Sequence, residues 1–118
     1  MRPSCSRSVK YIDFNHLILL SWNICNTSIV DLVKLSKIVT PHKLRQIFTS
    51  SEFFILSTCN RVEIYIYSDA PQAVFQSIKQ FIVCESPGEE YFSDSDVCLK
   101  GMQAYLHLIK VTSGLNSL

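Results

Sequence analysis

Ser57-Thr58-Cys59-Asn60-Arg61 places a cysteine among short polar residues with an arginine two positions on, a setting that suits a nucleophile. The thiolate is the reactive form of cysteine, and a neighbouring cation lowers the thiol pKa from its ordinary value of about 8.5. Arg61 could supply that cation. It could also bind a substrate carboxylate through two parallel N–H donors, a task its planar fork performs better than lysine. Thr58 and Asn60 add a hydroxyl and an amide to orient a polar substrate. On residue type and spacing alone, a single loop cysteine is more often a small packing residue, so the chemistry depends on what frames it.

The frame is two strands. Phe53-Phe54-Ile55-Leu56 precedes the polar stretch and Val62-Glu63-Ile64-Tyr65-Ile66-Tyr67 follows it. Strand alternation puts Val62, Ile64 and Ile66 on one face and Glu63, Tyr65 and Tyr67 on the other. A short connection between strands displays side chains on a rigid support. Upstream, Leu17 to Trp22 reads as a buried strand, and Ile29, Leu32, Val33 and Leu35 recur at helical spacing after Ser28. Thr40-Pro41 reads as an N-cap and first helical position for a helix through Leu44 and Ile47. Downstream, Asp69-Ala70-Pro71 caps a helix with Val74, Phe75, Ile78, Phe81 and Ile82 as one stripe. The acidic stretch from Glu85 to Asp96, with Pro87-Gly88, reads as a surface loop with an extended piece at Tyr91-Phe92. A last helix starts at Met102 after Gly101, with Leu106, Ile109 and Val111 apolar and His107 among them, and stops near Ser113-Gly114. This order predicts an α+β fold: a small, largely antiparallel sheet with helices packed on one face, of the ferredoxin-like type.

At 118 residues the chain is expected to be one domain, residues 15–118, behind a flexible N-terminal segment over 1–14. Hydrophobic residues at 47% against 18% charged exclude disordered and low-complexity classes. Eleven basic and ten acidic side chains give a net charge of +1, too little for a global field that recruits nucleic acid or an anionic membrane. Any RNA contact must be local, and Lys34, Lys37, His42, Lys43 and Arg45 form the one basic cluster, whose alternative is a solvated helix face. Phe53, Phe54, Tyr65 and Tyr67 read as core rather than as a base-stacking platform.

Five cysteines (Cys5, Cys25, Cys59, Cys84, Cys98) without a CxxC pair fit neither a disulfide framework nor a zinc knuckle. Reduced thiols in an intracellular compartment are expected. A zinc set of Cys25, Cys59 and His107 has no ligand spacing behind it; a redox pair of Cys59 with Cys25 or Cys84 needs two sulfurs within disulfide reach. The longest apolar run, Leu17 to Leu20, falls far short of the ~20 residues of a membrane span, so no membrane partner is expected.

The nine positions Ser57 to Tyr65 closely resemble the signature of glutamyl-tRNA reductases. A second block agrees: Gly101, Ala104, His107, Leu108, Val111, Gly114, Leu115 and Ser117 follow that family's helix carrying His-Leu and ending in Gly-Leu-Asp-Ser. The resemblance implies that Cys59 attacks the ester of glutamyl-tRNA, releasing tRNA and leaving a thioester. NADPH then reduces the thioester to glutamate 1-semialdehyde, the first step of tetrapyrrole (porphyrin, haem) synthesis. It makes Thr58, Asn60, Arg61 and Ser117 substrate-binding, with Arg61 meeting the charged end of the glutamyl group. It puts His107 near the reacting atoms, where it could move a proton. It further implies a homodimeric full-length enzyme, a glutamate-1-semialdehyde aminomutase as downstream partner, and a location in the cytoplasm, or in the plastid of a plant or alga.

The chain departs from the family in three places. A Gly-x-Asn-His-x-Thr-Ala-Pro motif is expected after the first strand, whereas the residues from Trp22 to Ile29 match it well only at Thr27. Asn116 stands where the family has Asp. The sequence also stops at Leu118, where family members continue into NADPH-binding and dimerisation domains. No G-x-G-x-x-G occurs, and Gly88, Gly101 and Gly114 are scattered. The expectation is therefore an N-terminal catalytic domain that does not bind NADPH alone and holds no metal, its alternative being a non-catalytic tRNA- or protein-binding module of the same descent.

Overall fold

The computed structural model describes residues 13–48, 51–93 and 97–113. Four strands, β1 (Leu17–Asn23), β2 (Glu52–Ser57), β3 (Arg61–Tyr67) and β4 (Cys98–Lys100), form one antiparallel sheet in the order β2-β3-β1-β4. Among the described residues, four helices accompany it: α1 (Ile29–Ile38), α2 (Pro41–Ile47), α3 (Pro71–Glu85) and α4 (Met102–Thr112). The chain order β-αα-β-β-α-β-α is the βαββαβ pattern of ferredoxin-like folds with one helix doubled and one added at the end. The α+β class and antiparallel sheet agree with the sequence reading.

Local chemistry sets the helix starts. Ser28 Oγ accepts the Asp31 N–H and Thr40 Oγ1 accepts the Lys43 N–H, each meeting a donor that the first helical turn leaves unpaired. Pro41 and Pro71 occupy first-turn positions, where a missing N–H costs nothing. A single 3-10 turn, Phe14–His16, leads into β1, and the Phe14 ring packs on Tyr105. Asp13 and Phe14 are thus tied to the fold; the rest of the expected flexible segment, residues 1–12, lies outside the described residues.

Sheet alternation divides the interior into two layers. Ile18, Leu20 and Trp22 of β1 join Val62, Ile64 and Ile66 of β3 in the main core, under Leu32, Leu35 and Ile38 of α1, Leu44 of α2, and Val74, Ile78 and Ile82 of α3. The other face carries Leu19, Tyr65 and Ala104, with Leu17, Leu56, Leu99 and Leu108 around them. That smaller layer is made by α4, so a helix covers the second face as well as the three on the first. α4 turns Leu106 and Ile109 to solvent at 49% and 42% exposure and brings Ala104, Leu108 and His107 inward. The apolar character of Leu106 and Ile109 favoured the opposite orientation; a buried carboxylate beneath the helix, described below, favours a histidine there.

Candidate active site

The connection between β2 and β3 is tighter than the sequence reading. The Thr58 N–H donates to the Arg61 carbonyl at 2.8 Å, which closes a hairpin whose two loop residues are Cys59 and Asn60. Such loops usually need a positive φ at one or both central residues, yet among the described residues only Gly88 and Gly101 have one. Thr58 offers a compensating contact: its Oγ1 accepts the Asn60 N–H at 3.2 Å, a side-chain turn over the loop. Replacing Thr58 with alanine should lower stability by about 1 kcal/mol in urea unfolding and speed amide exchange at Asn60; unchanged exchange would show that the hydroxyl does not hold the loop. Cys59 is exposed at the tip, and its thiol's polar contact is Asn60 Oδ1 at 3.7 Å.

One residue behind the loop lies a buried charge cluster. Glu63, fully buried, occupies the middle of β3 on the α4 face. Its Oε2 accepts from Ser21 Oγ at 2.7 Å, Arg61 Nη1 at 2.8 Å and His107 Nε2 at 2.6 Å, and its Oε1 accepts from the Tyr65 hydroxyl at 2.7 Å. A carboxylate has about four acceptor positions, two on each oxygen; here three donors share Oε2 and one takes Oε1. Register explains the assembly: Ser21 lies opposite Glu63, and Asn23 opposite Arg61, in the β1–β3 ladder. Asn23 Nδ2 extends the chain of contacts to Ser21 Oγ at 3.2 Å.

Burial pushes the Glu63 carboxyl upward, but the hydrogen bonds from Ser21, Tyr65 and His107, with the charge of His107, outweigh it and the net direction is down. Glu63 is therefore a carboxylate. Burial first, then its bond to Glu63, holds the Tyr65 phenol above the usual range, so Tyr65 remains a neutral donor. Since the carboxylate only accepts, His107 Nε2 carries the hydrogen of that bond. A carboxyl with a depressed folded pKa adds stability above its unfolded value, near 4.5, and loses that contribution as pH falls through the folded value. Urea midpoints should fall as pH drops below about 4.5, more steeply in the wild type than in Glu63→Gln; parallel curves would remove Glu63 from the acid transition.

The sequence-predicted residues thus divide into two groups. Thr58, Cys59 and Asn60 form the exposed loop, while Arg61 and His107 converge on Glu63; Arg61 is 8% exposed. His107 makes its ion pair with Glu63 rather than with Cys59. Ser117 lies outside the described residues. Ser21, Glu63 and Tyr65 were not singled out as site residues. Glu63 gave one usable signal, an ionisable residue in a strand of otherwise apolar and aromatic side chains.

Residues from Ile24 to Thr27, in the stretch that matches the family motif well only at Thr27, fold as a turn beside the hairpin. The Ile24 N–H donates to the Asn60 carbonyl at 3.1 Å. In the basic cluster, Lys34 pairs with Glu89 at 3.3 Å and Lys43 with Glu85 at 3.0 Å, so two of its five cations are matched by acidic groups. Phe54 stacks on Tyr65 with centroids 4.6 Å apart, and Phe53 packs edge-on against Phe48, so these rings serve the interior, though Phe54 remains 43% exposed. Among the described residues no helix is long and apolar enough to cross a membrane.

The family model described as "Glutamyl-tRNAGlu reductase, N-terminal domain" matches residues 18–118. A glutamyl-tRNA reductase of Desulfotalea psychrophila is 34% identical over 76 residues, covering 64% of this chain and 18% of that protein. One from Prochlorococcus marinus (strain MIT 9215) is 42% identical over 74 residues, covering 57% of this chain and 16% of its own length. One from Ignicoccus hospitalis aligns over 120 residues at 29% identity, covering 98% of this chain and 26% of its own length. The chain therefore spans about a quarter or less of each of these relatives.

Proposed function

Since the chain belongs to the glutamyl-tRNA reductase N-terminal domain family, we propose that it performs the acyl-transfer half of that reaction, with Cys59 as nucleophile. The observation that carries this reading is an exposed thiol on a hydrogen-bonded two-residue loop, followed directly by Arg61 of the buried Arg61–Glu63–His107 cluster. The Cys59 thiolate attacks the ester carbonyl of glutamyl-tRNA; a C–S bond forms, the ester C–O bond breaks, and the tRNA hydroxyl leaves with a proton. His107, fixed by Glu63, moves that proton. Arg61, its guanidinium fixed by the same carboxylate, meets the charged end of the glutamyl group. Thr58 and Asn60 orient the group from the loop, and Ser117 contributes a further contact.

Reduction of the thioester to glutamate 1-semialdehyde, on the way to tetrapyrroles, is the other half, for which the family enzyme uses NADPH. Residues in this chain do not fit that cofactor. Gly101 stands at a strand-to-helix turn, between β4 and α4, but Met102, Gln103 and Ala104 follow it. A dinucleotide pyrophosphate needs further glycines there for close backbone approach. No hydride step is assigned to the 118 residues. A homodimer and an aminomutase that takes up the product belong to the same reading of the full-length enzyme.

The test is to mix the chain with glutamyl-tRNA labelled in the glutamyl group, without NADPH. Label on the protein that hydroxylamine removes, with free tRNA released in equal amount, is the expected result. If the folded protein takes up no label and releases no tRNA, the acyl-transfer reading fails.

A further inference from the structure

A chain of hydrogen bonds leads from the buried carboxylate to the exposed loop, and its hydrogens run in one direction. Glu63 only accepts, so Ser21 Oγ directs its single hydrogen to Glu63 Oε2 at 2.7 Å and meets Asn23 with a lone pair. That settles which end of the Asn23 amide is which. Nδ2 donates to Ser21 Oγ at 3.2 Å, and Oδ1 is left to accept the Cys25 N–H at 2.9 Å. The second contact is an Asx turn, in which a side-chain oxygen holds the backbone two residues on. Its middle residue is Ile24, whose N–H donates to the Asn60 carbonyl at 3.1 Å, next to Cys59.

Other bonds brace the same turn. The Asn23 carbonyl accepts the Asn26 and Thr27 N–H groups at 2.9 and 2.8 Å, and the Asn23 N–H donates to Asn26 Oδ1 at 3.0 Å. Asn26 Nδ2 returns to the Ser21 carbonyl at 3.3 Å. The Ile24 side chain is 47% exposed, so polar contacts rather than packing shape this segment. Asn23 and Asn26 stand at the two positions where Gly-x-Asn-His-x-Thr-Ala-Pro names no residue, so the network lies outside that motif. The Thr58 contacts are internal to the hairpin. Among the described residues, the bond from Ile24 is the hydrogen bond that ties Cys59 and Asn60 to the fold outside it.

We infer that Asn23 is a positioning residue for Cys59: its Oδ1, oriented by Ser21, shapes the turn whose Ile24 N–H fixes where the loop and its thiol stand. The anchoring is a property of the fold alone. Its effect on rate rests on the reading of Cys59 as the nucleophile.

The experiment compares the full chain with Asn23→Ala and Asn23→Ser, the second keeping a hydroxyl that can accept the Cys25 N–H. With labelled glutamyl-tRNA at saturation, Asn23→Ala should transfer about tenfold more slowly than wild type, with its half-saturating concentration within about twofold, because misplacing the nucleophile costs rate and not binding. Amide exchange at Ile24 should be about fivefold faster. Asn23→Ser should bring both readings back to within about threefold of wild type. Alkylation of Cys59 by iodoacetamide, which needs an accessible thiol but no placed substrate, should stay within about twofold in all three proteins. Transfer by folded Asn23→Ala at the wild-type rate, or an equal loss in Asn23→Ser, overturns the proposal. A wild-type chain that transfers no label sinks the acyl-transfer reading alone; exchange at Ile24 then decides the anchoring, and equal rates in wild type and Asn23→Ala overturn it.

Discussion

Replacing Glu63 with alanine should destabilise the domain by about 3–5 kcal/mol, a large part of the roughly 5–15 kcal/mol that holds a domain folded. The carboxylate is fully buried and takes four donors at 2.6–2.8 Å. Without it, Arg61 keeps a charge in a nearly closed site, and Ser21, Tyr65 and His107 lose an acceptor with little water to replace it. Glu63→Gln keeps the shape but turns an N–H2 toward at least one donor, so it should fall between alanine and wild type. Tyr65→Phe removes one neutral donor and should cost only about 1 kcal/mol. Urea unfolding at neutral pH measures all three. A Glu63→Ala loss within about 0.5 kcal/mol, the range of ordinary surface substitutions, would mean that the cluster is solvated and does not hold the fold.

Cys59→Ser should do the opposite: leave stability within about 0.5 kcal/mol of wild type and reduce acyl transfer from glutamyl-tRNA on the order of 10³-fold or more. The side chain is exposed at a loop tip and packs against nothing in the core, so the smaller hydroxyl disturbs little. As a nucleophile, however, an alcohol is almost never ionised at neutral pH, whereas a few per cent of an ordinary thiol is. The pair of variants therefore separates the two parts of the candidate site: the framework, expected to depend on Glu63, and the proposed chemistry, expected to depend on Cys59. Hydroxylamine-labile label on Cys59→Ser at the wild-type rate would place the nucleophile elsewhere, and the remaining cysteines would be the next to replace.

Much of this architecture was legible because it is local. The alternation of Val62, Ile64 and Ile66 against Glu63 and Tyr65 divides the faces of β3 as the structure does, and Thr40-Pro41 opens α2 as its cap chemistry requires. The α3 stripe was also legible: Val74, Ile78 and Ile82 are buried along one side. Helix α1 was read less well, since Ile29 and Val33 share its apolar period yet lie 66% and 49% exposed. Periodicity reports which residues are apolar, not how wide a stripe the neighbouring layer covers.

The sequence by itself determined the three longer strands, the four helices, the class of the fold and the loop bearing Cys59, because each depends on residues within a few positions of one another; the three-residue edge strand β4 (Cys98–Lys100) was not legible, being too short to show alternation, and the extended piece read at Tyr91-Phe92 is not a strand. The family signature lies in the same short segments. Only the tertiary structure decided that Glu63 is the centre of the site. Its partners Ser21 and His107 lie 42 and 44 residues away, and they meet it through the β1–β3 register and the packing of α4. In the sequence alone, Glu63 is one charged residue on a strand. What makes it a buried carboxylate is the exclusion of water by α4 and the arrival of four donors, and both exist only once the sheet and its last helix are assembled.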